Sequence, residues 1–310
     1  MAKTHSFALT FFLAALVLFS GCGHTRVVSA AQPFGPIPFP FIPTDGTPLV
    51  LKAGVYTCPT MIPTGAHIVG RGSVASPELV GDTHFAPFTT TGTVPAVRIS
   101  CTNNLVLQNV ASVELSGLIF DFNNAGGMVM DGVIYSRFEI SIVNATVGLT
   151  MTTTTGTTAT NTFPNLIFYN DAVGLVMNGI NSHAVTWNDF GNLELVNITD
   201  TGIIVSQFAD TNTFGSIRMH LRGSARDGIV FNDAGVLGDV DASGNIIRAL
   251  DCDGEPGFAG ACAHFKGYTV GNSIVMGFAT MPEQNKIVFD NTFSAGANTV
   301  VKLQENPKQP

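Results

Sequence analysis

Charge is scarce in this chain of 310 residues. Asp, Glu, Lys and Arg make up only 12% of it, with 14 Lys or Arg against 22 Asp or Glu and a net charge of −8. Phosphate binding needs a basic face, so the balance argues against a nucleic-acid partner. The same acidity makes a polyanionic sugar awkward to bind without a local basic patch or a bridging cation. Trp occurs once, and the five cysteines lack the paired short spacings of a zinc site. Helical spacing of apolar residues is hard to find beyond residue 50. Glycine, by contrast, occurs 33 times and 45% of the residues are hydrophobic. That composition suits a β protein turned by Gly and surfaced by Thr and Asn, and it argues against disorder.

What is present is a repeat, running from about Arg137 to Asp233. Asn161-Thr-Phe163 is echoed by Asn188-Asp-Phe190 and Asn212-Thr-Phe214. A glycine follows each time, at 148, 174, 202 and 228, so the steps are 26, 28 and 26 residues. Superposing the three Phe aligns Leu166, Leu193 and Ile217, and also Phe168, Leu195 and Met219. The residues between them, Ile167, Glu194 and Arg218, should point outward. Alternation over short runs, broken by Gly and Asn, is the strand signal. A steady period in this range means stacked units that bury their apolar faces only against each other. The leucine-rich, ankyrin and tetratricopeptide patterns are absent. The expectation is an all-β, single-stranded right-handed parallel β-helix, with the recurrent Asn forming a ladder inside a turn.

Four segments are expected. Residues 1–21 read as an export signal, with Lys3 and His5 ahead of an apolar stretch from Phe7 to Phe19 that is too short to span a bilayer. Leu18-Phe-Ser-Gly-Cys22 resembles a bacterial lipobox, which implies lipidation of Cys22 and a membrane anchor in the envelope. Val28-Ser-Ala30 is a rival site for ordinary cleavage, which would release a secreted protein. Residues 22–48 are Pro-rich and read as a tether, although Phe34, Phe39 and Phe41 would also suit a cap on the solenoid core. Residues 49–303 form the β-helix domain, and 304–310 a polar tail.

Leu49-Val-Leu-Lys-Ala-Gly-Val-Tyr56, followed by Met61-Ile-Pro-Thr-Gly-Ala-His-Ile-Val-Gly-Arg-Gly72, resembles the opening of right-handed β-helix proteins of the pectate-lyase-like superfamily. The resemblance implies the fold over most of 49–303. It leaves activity open, because this fold hosts many functions. The Arg-x-Pro-x-x-Arg element of pectate lyases does not occur. Of the polygalacturonase motifs, the nearest fragment is Asn197-Ile-Thr-Asp200, which is not equivalent.

Three constellations carry candidate chemistry. In Arg218-Met-His220-Leu-Arg222, alternation places Arg218, His220 and Arg222 on one outward face, with Glu194 one rung below Arg218. A base beside positive charge suits a lyase acting next to a sugar carboxylate. The alternative is a surface strand with a ladder pair of little energetic weight. Asp251, Asp253 and Glu255 would offer oxygens to Ca²⁺ in an outward loop, unless that loop is simply solvated. Trp187 with Asp189 suits sugar stacking and acid/base hydrolysis, although Trp187 would equally fill a rung. Among the cysteines, Cys252–Cys262 is the natural disulfide because it would staple the Gly-rich loop between them, and Cys58–Cys101 follows by elimination. The functional expectation is an exported, envelope-associated protein that binds or modifies a polysaccharide, as lyase or hydrolase. The alternative is a non-catalytic, adhesin-like or structural surface protein.

Overall fold

Each repeat of the sequence becomes one coil of a solenoid. The protein is described here by a computed structural model covering residues 26–28, 36–71, 97–180, 183–232, 242–279 and 287–302. The expected export signal, Cys22, Ser29 and Ala30 of the second expected cleavage site, and the 304–310 tail lie outside these residues. A representative coil runs through Thr162–Tyr169, Val173–Asn178 and Val185–Thr186, then returns at Asp189–Ile198. The returning strand lies parallel to the first, with Phe163 opposite Phe190 and Ile167 opposite Glu194. Repetition builds sheets of 13, 8 and 3 strands. The architecture is a parallel β-helix.

The interior is made of like on like. Phe138, Phe163, Phe190 and Phe214 stack with ring centroids 5.3, 4.6 and 4.7 Å apart, close to the spacing of strands. Phe231, Phe265 and Phe289 form a second column at 4.8 Å per step. The expected Asn ladder is longer than the repeat suggested. Asn161, Asn188, Asn212, Asn245, Asn272 and Asn298 form one buried column. Each of the first five donates its backbone N–H and its side-chain amide to the next one's Oδ1. Along most of the column the preceding residue takes positive φ, as at Thr160, Trp187 and Thr211, which turns the chain tightly into the ladder.

The recurrent glycines sit where coils come too close for a side chain. A Cβ on Gly174 would lie 2.5 Å from Leu195 Cδ2 and 2.7 Å from the Gly202 carbonyl oxygen. One coil after Gly228 the same position is held by Cys262, between Ala261 and Ala263 of the paired strand. Across the interior, Met219 is succeeded by Cys252. A large Met facing Gly in one coil thus gives way to Cys facing Cys in the next. This corrects the expected Cys252–Cys262 disulfide. Both are buried free thiols that fill the core as small apolar side chains. The segment between them is not a long loop either. Ile246–Gly254 and Ala261–Lys266 are strands, leaving only a short turn between them. The disulfide that forms is Cys58–Cys101, with Cα atoms 4.7 Å apart. These residues directly follow the paired strands Gly54–Thr57 and Val97–Ser100, in which Thr57 lies opposite Ser100, so they are neighbours on adjacent coils.

Residues 36–48 pack on the first coils. Ile37 bridges to Tyr56, Phe39 meets the Tyr56 ring edge-on at 6.4 Å, and Ile42 is buried, whereas Phe41 is 71% exposed. At the far end is a short helix that the sequence pattern did not announce, Thr292–Ala297, capped by the Asn291 side chain.

Candidate functional site

The outer surface of the 13-stranded sheet carries side chains in columns, one residue per coil. One column runs Ser141, Ile167, Glu194, Arg218 and Asp251. The column beside it runs through Asn165, Asn192 and Ser216, with Glu139 below. Here the side chains bond in series. Ser216 Oγ donates to Asn192 Oδ1, Asn192 Nδ2 to Asn165 Oδ1, and Asn165 Nδ2 to Glu139 Oε1, each at 3.0 Å.

The strands bend between their first residues and these columns. Pairing with Arg137–Val143 shifts register between Thr162 and Leu166. At the bend a Cβ on Gly191 would lie 2.6 Å from the Pro164 carbonyl oxygen, so only glycine allows the coils to stack there. The outer face beside the bend holds a groove of about 410 Å³, lined by Glu139, Ser141, Asn165, Ile167, Asn192 and Glu194. Ile167, one of its lining residues, is half-buried. Ser141 is only 1% exposed, and its hydroxyl has no hydrogen-bond partner among the described residues.

Above the groove the first column becomes charged. Burial raises the Glu194 carboxyl above its ordinary range, and Arg218 on the next coil opposes that rise. Burial also raises Asp251, with Arg218 opposing and Asp253 adding to the rise. Arg218 Nε lies 3.8 Å from Asp251 Oδ2. Glu194 and Asp251 are thus two coils apart on either side of one guanidinium, a backbone separation of roughly 9–10 Å. His220 occupies the adjacent column, opposite Val196 and Asp253, and its Nδ1 is shielded from solvent without a partner among the described residues.

Glu194, Arg218 and His220 therefore come together as expected. Asp251 and Asp253, expected in a separate calcium loop, belong to this same face. Because both lie on the strand Ile246–Gly254, their Cα atoms are spread by roughly 7 Å along it. Glu255 falls beyond the strand, in the turn that carries the Phe258 N–H to its carbonyl. Among the described residues no group of three or more His, Cys, Asp or Glu is arranged to hold a metal ion. Arg222 also leaves the site. It follows the strand Thr213–Leu221, lies in a turn in which its carbonyl accepts the Ala225 N–H, and is exposed. Trp187 is 67% exposed at φ 54° on the turn before Asn188, and Asp189 opens the strand toward Asn192 and Glu194. Neither lines the groove.

Sequence reasoning missed Glu139, Ser141 and Ile167 as site residues. The alternation marked Ile167 as outward, which was the available signal, but nothing local marked the bend that makes the surface concave. No family model matches the chain, and neither a curated protein nor a solved structure does so.

Proposed function

We propose that this protein is an exported, envelope-anchored enzyme that hydrolyses a polysaccharide lying along the outer groove of the β-helix. The observation that carries the reading is the pair of carboxyls raised by burial, Glu194 and Asp251, set two coils apart about Arg218. Inverting glycoside hydrolysis uses a protonated acid and an ionised base about 6.5–9.5 Å apart, leaving room for the attacking water. Glu194, at the end of the groove, is the proton donor. Asp251, just beyond the groove's lining, activates the water, and Arg218 opposes the burial-driven rise at both carboxyls. The likeness of residues 49–72 to the opening coil of the pectate-lyase-like superfamily supports a carbohydrate role by analogy of fold. Export and the lipid at Cys22 would place the groove outside the cytoplasm.

A panel of acidic, neutral and amine-bearing polysaccharides tests this, with new reducing ends and the ultraviolet absorbance of unsaturated sugars followed together. New reducing ends without absorbance are expected, and Glu194→Gln should lower kcat by about 10²–10⁴-fold. Absorbance growth would replace hydrolysis with a lyase reaction and move attention to His220. No product on either channel would leave the non-catalytic, adhesin-like surface protein as the better account.

A further inference from the structure

We propose that a column of turn residues beside the Asn ladder is a second glycan-binding surface, outside the groove, which holds a neutral, extended glycan of the cellulose or chitin type on Tyr135 and Trp187. Register fixes the column. Ala111 pairs with Ile134 and Ile134 with Ala159, while Ala159 pairs with Thr186 and Thr186 with Asp210. The next residue on each coil is Ser112, Tyr135, Thr160, Trp187 and Thr211, all exposed, at φ 56°, 53°, 59°, 54° and 54°. Hydroxyl and aromatic side chains therefore alternate from coil to coil. Tyr135 and Trp187 are 66% and 67% exposed and stand two coils apart, a backbone separation of roughly 9–10 Å.

The fold does not call for aromatics here. Left-handed backbone is strained for any residue with a Cβ and uncommon for bulky ones. Two later coils fill the same turn position with Gly244 and Gly271, at φ 64° and 70°. With two-thirds of each side chain in water, neither ring supports the core as the buried Phe columns do. A planar side chain so exposed keeps at least one face open, and that face suits the C–H face of a sugar ring. The spacing selects the polymer. In cellulose and chitin each sugar is turned over relative to the last, so alternate rings present the same face, at a step close to that of two coils. Thr160 lies between the aromatics and offers its hydroxyl to the intervening sugar. One column over, Arg137, Thr162, Asp189 and Thr213 lie in register. They add hydrogen-bonding groups with one cation balanced by one anion, which favours a neutral chain over a charged one. A lipid or apolar protein surface would instead call for a contiguous apolar patch, and hydroxyls interrupt this column on alternate coils.

This site stands apart from the hydrolase reading, and one probe separates the two. Trp187 is the only Trp in the chain and does not line the groove, so its fluorescence reports the column alone. The full chain, in a non-ionic detergent without a sugar headgroup, is titrated with cello-oligosaccharide, N-acetylated chito-oligosaccharide and malto-oligosaccharide. Trp emission and heat are followed together. At least one of the two extended oligomers should bind and shift the emission, and malto-oligosaccharide, whose chain coils, should do neither. Tyr135→Gly copies Gly244, so it should weaken binding by about tenfold while leaving the melting temperature unchanged or raised. Thr160→Trp with Trp187→Thr keeps two aromatics but halves their spacing, and should lose as much affinity. An emission unmoved by both extended oligomers overturns the proposal. So does equal binding of malto-oligosaccharide, or full affinity in either variant. A shift on phosphatidylcholine vesicles alone would assign the column to a lipid surface and overturn it too. Heat of binding with unmoved emission would put the glycan in the groove, sinking this proposal and leaving the hydrolase reading standing. An emission shift without new reducing ends would do the reverse.

Discussion

Asp171 is a buried acid whose protonation links the stability of the fold to pH. Its Oδ1 accepts the Ala145 N–H at 2.6 Å, while Oδ2 is buried without a partner among the described residues. Burial raises its pKa well above the ordinary 3.8, with the Ala145 hydrogen bond opposing. The folded state thus holds this proton more tightly than the unfolded chain. Its contribution to stability is fully present below pH 3.8 and is lost as pH rises through the folded value. Asp171→Asn keeps the acceptor for Ala145 and cannot ionise. The stability difference, variant minus parent, should therefore grow from pH 4 to pH 8 when followed by urea denaturation. A difference that stays constant or shrinks with pH would mean that Asp171 is not the group responsible. The buried thiols are the other lesson at this scale. Spacing alone suggested a staple between Cys252 and Cys262, but their positions follow from packing, one thiol replacing Met and the other replacing Gly of the preceding coil.

Among the elements, the Asn ladder links turn geometry to the stability of the stack. Asn188 Oδ1 receives both the backbone N–H and the side-chain amide of Asn161, and its own amide reaches Asn212 and the Thr158 carbonyl. Asn188→Ala would strand buried donors on Asn161, each costing about 1–3 kcal/mol. Asn165→Ala also removes a member of an asparagine column, but that residue is exposed and water replaces its partners. Asn188→Ala should therefore lower the urea midpoint far more than Asn165→Ala, and equal shifts would refute the ladder as a structural spine. Half of this column was legible because Asn161, Asn188 and Asn212 recur in step with Phe and Gly. Asn245 was harder to place, since 33 residues separate it from Asn212 and the rhythm seemed to break. The pairing of Thr213–Leu221 with Ile246–Gly254 continues unchanged, however, so the extra length lies outside the strands.

Across the whole molecule, stacking turns sequence-distant residues into a column, and this explains what could and could not be read. Glu194 and Arg218 were found to be neighbours because superposing Phe190 on Phe214 brings them into register. Asp251 was misplaced because the same superposition was not extended through the longer step. The groove was invisible because its concavity comes from a bend shared by Pro164, Gly191 and Gly215 on successive coils, not from any one strand's pattern. The column also makes the proposed chemistry testable through its one central charge. Arg218 opposes the burial-driven rise at both Glu194 and Asp251. Arg218→Met removes that opposition, so both carboxyls should titrate at higher pH than in the parent. In the profile of kcat/KM, the acid limb reports ionisation of the base Asp251 and the alkaline limb reports loss of the proton from Glu194. Both limbs should move upward together in the variant. Carbon NMR titration of the Glu194 carboxyl reads the same shift without depending on turnover. An unmoved or lowered Glu194 titration would mean that Arg218 does not act on the proposed acid, and the column would lose its claim to be an acid–base pair.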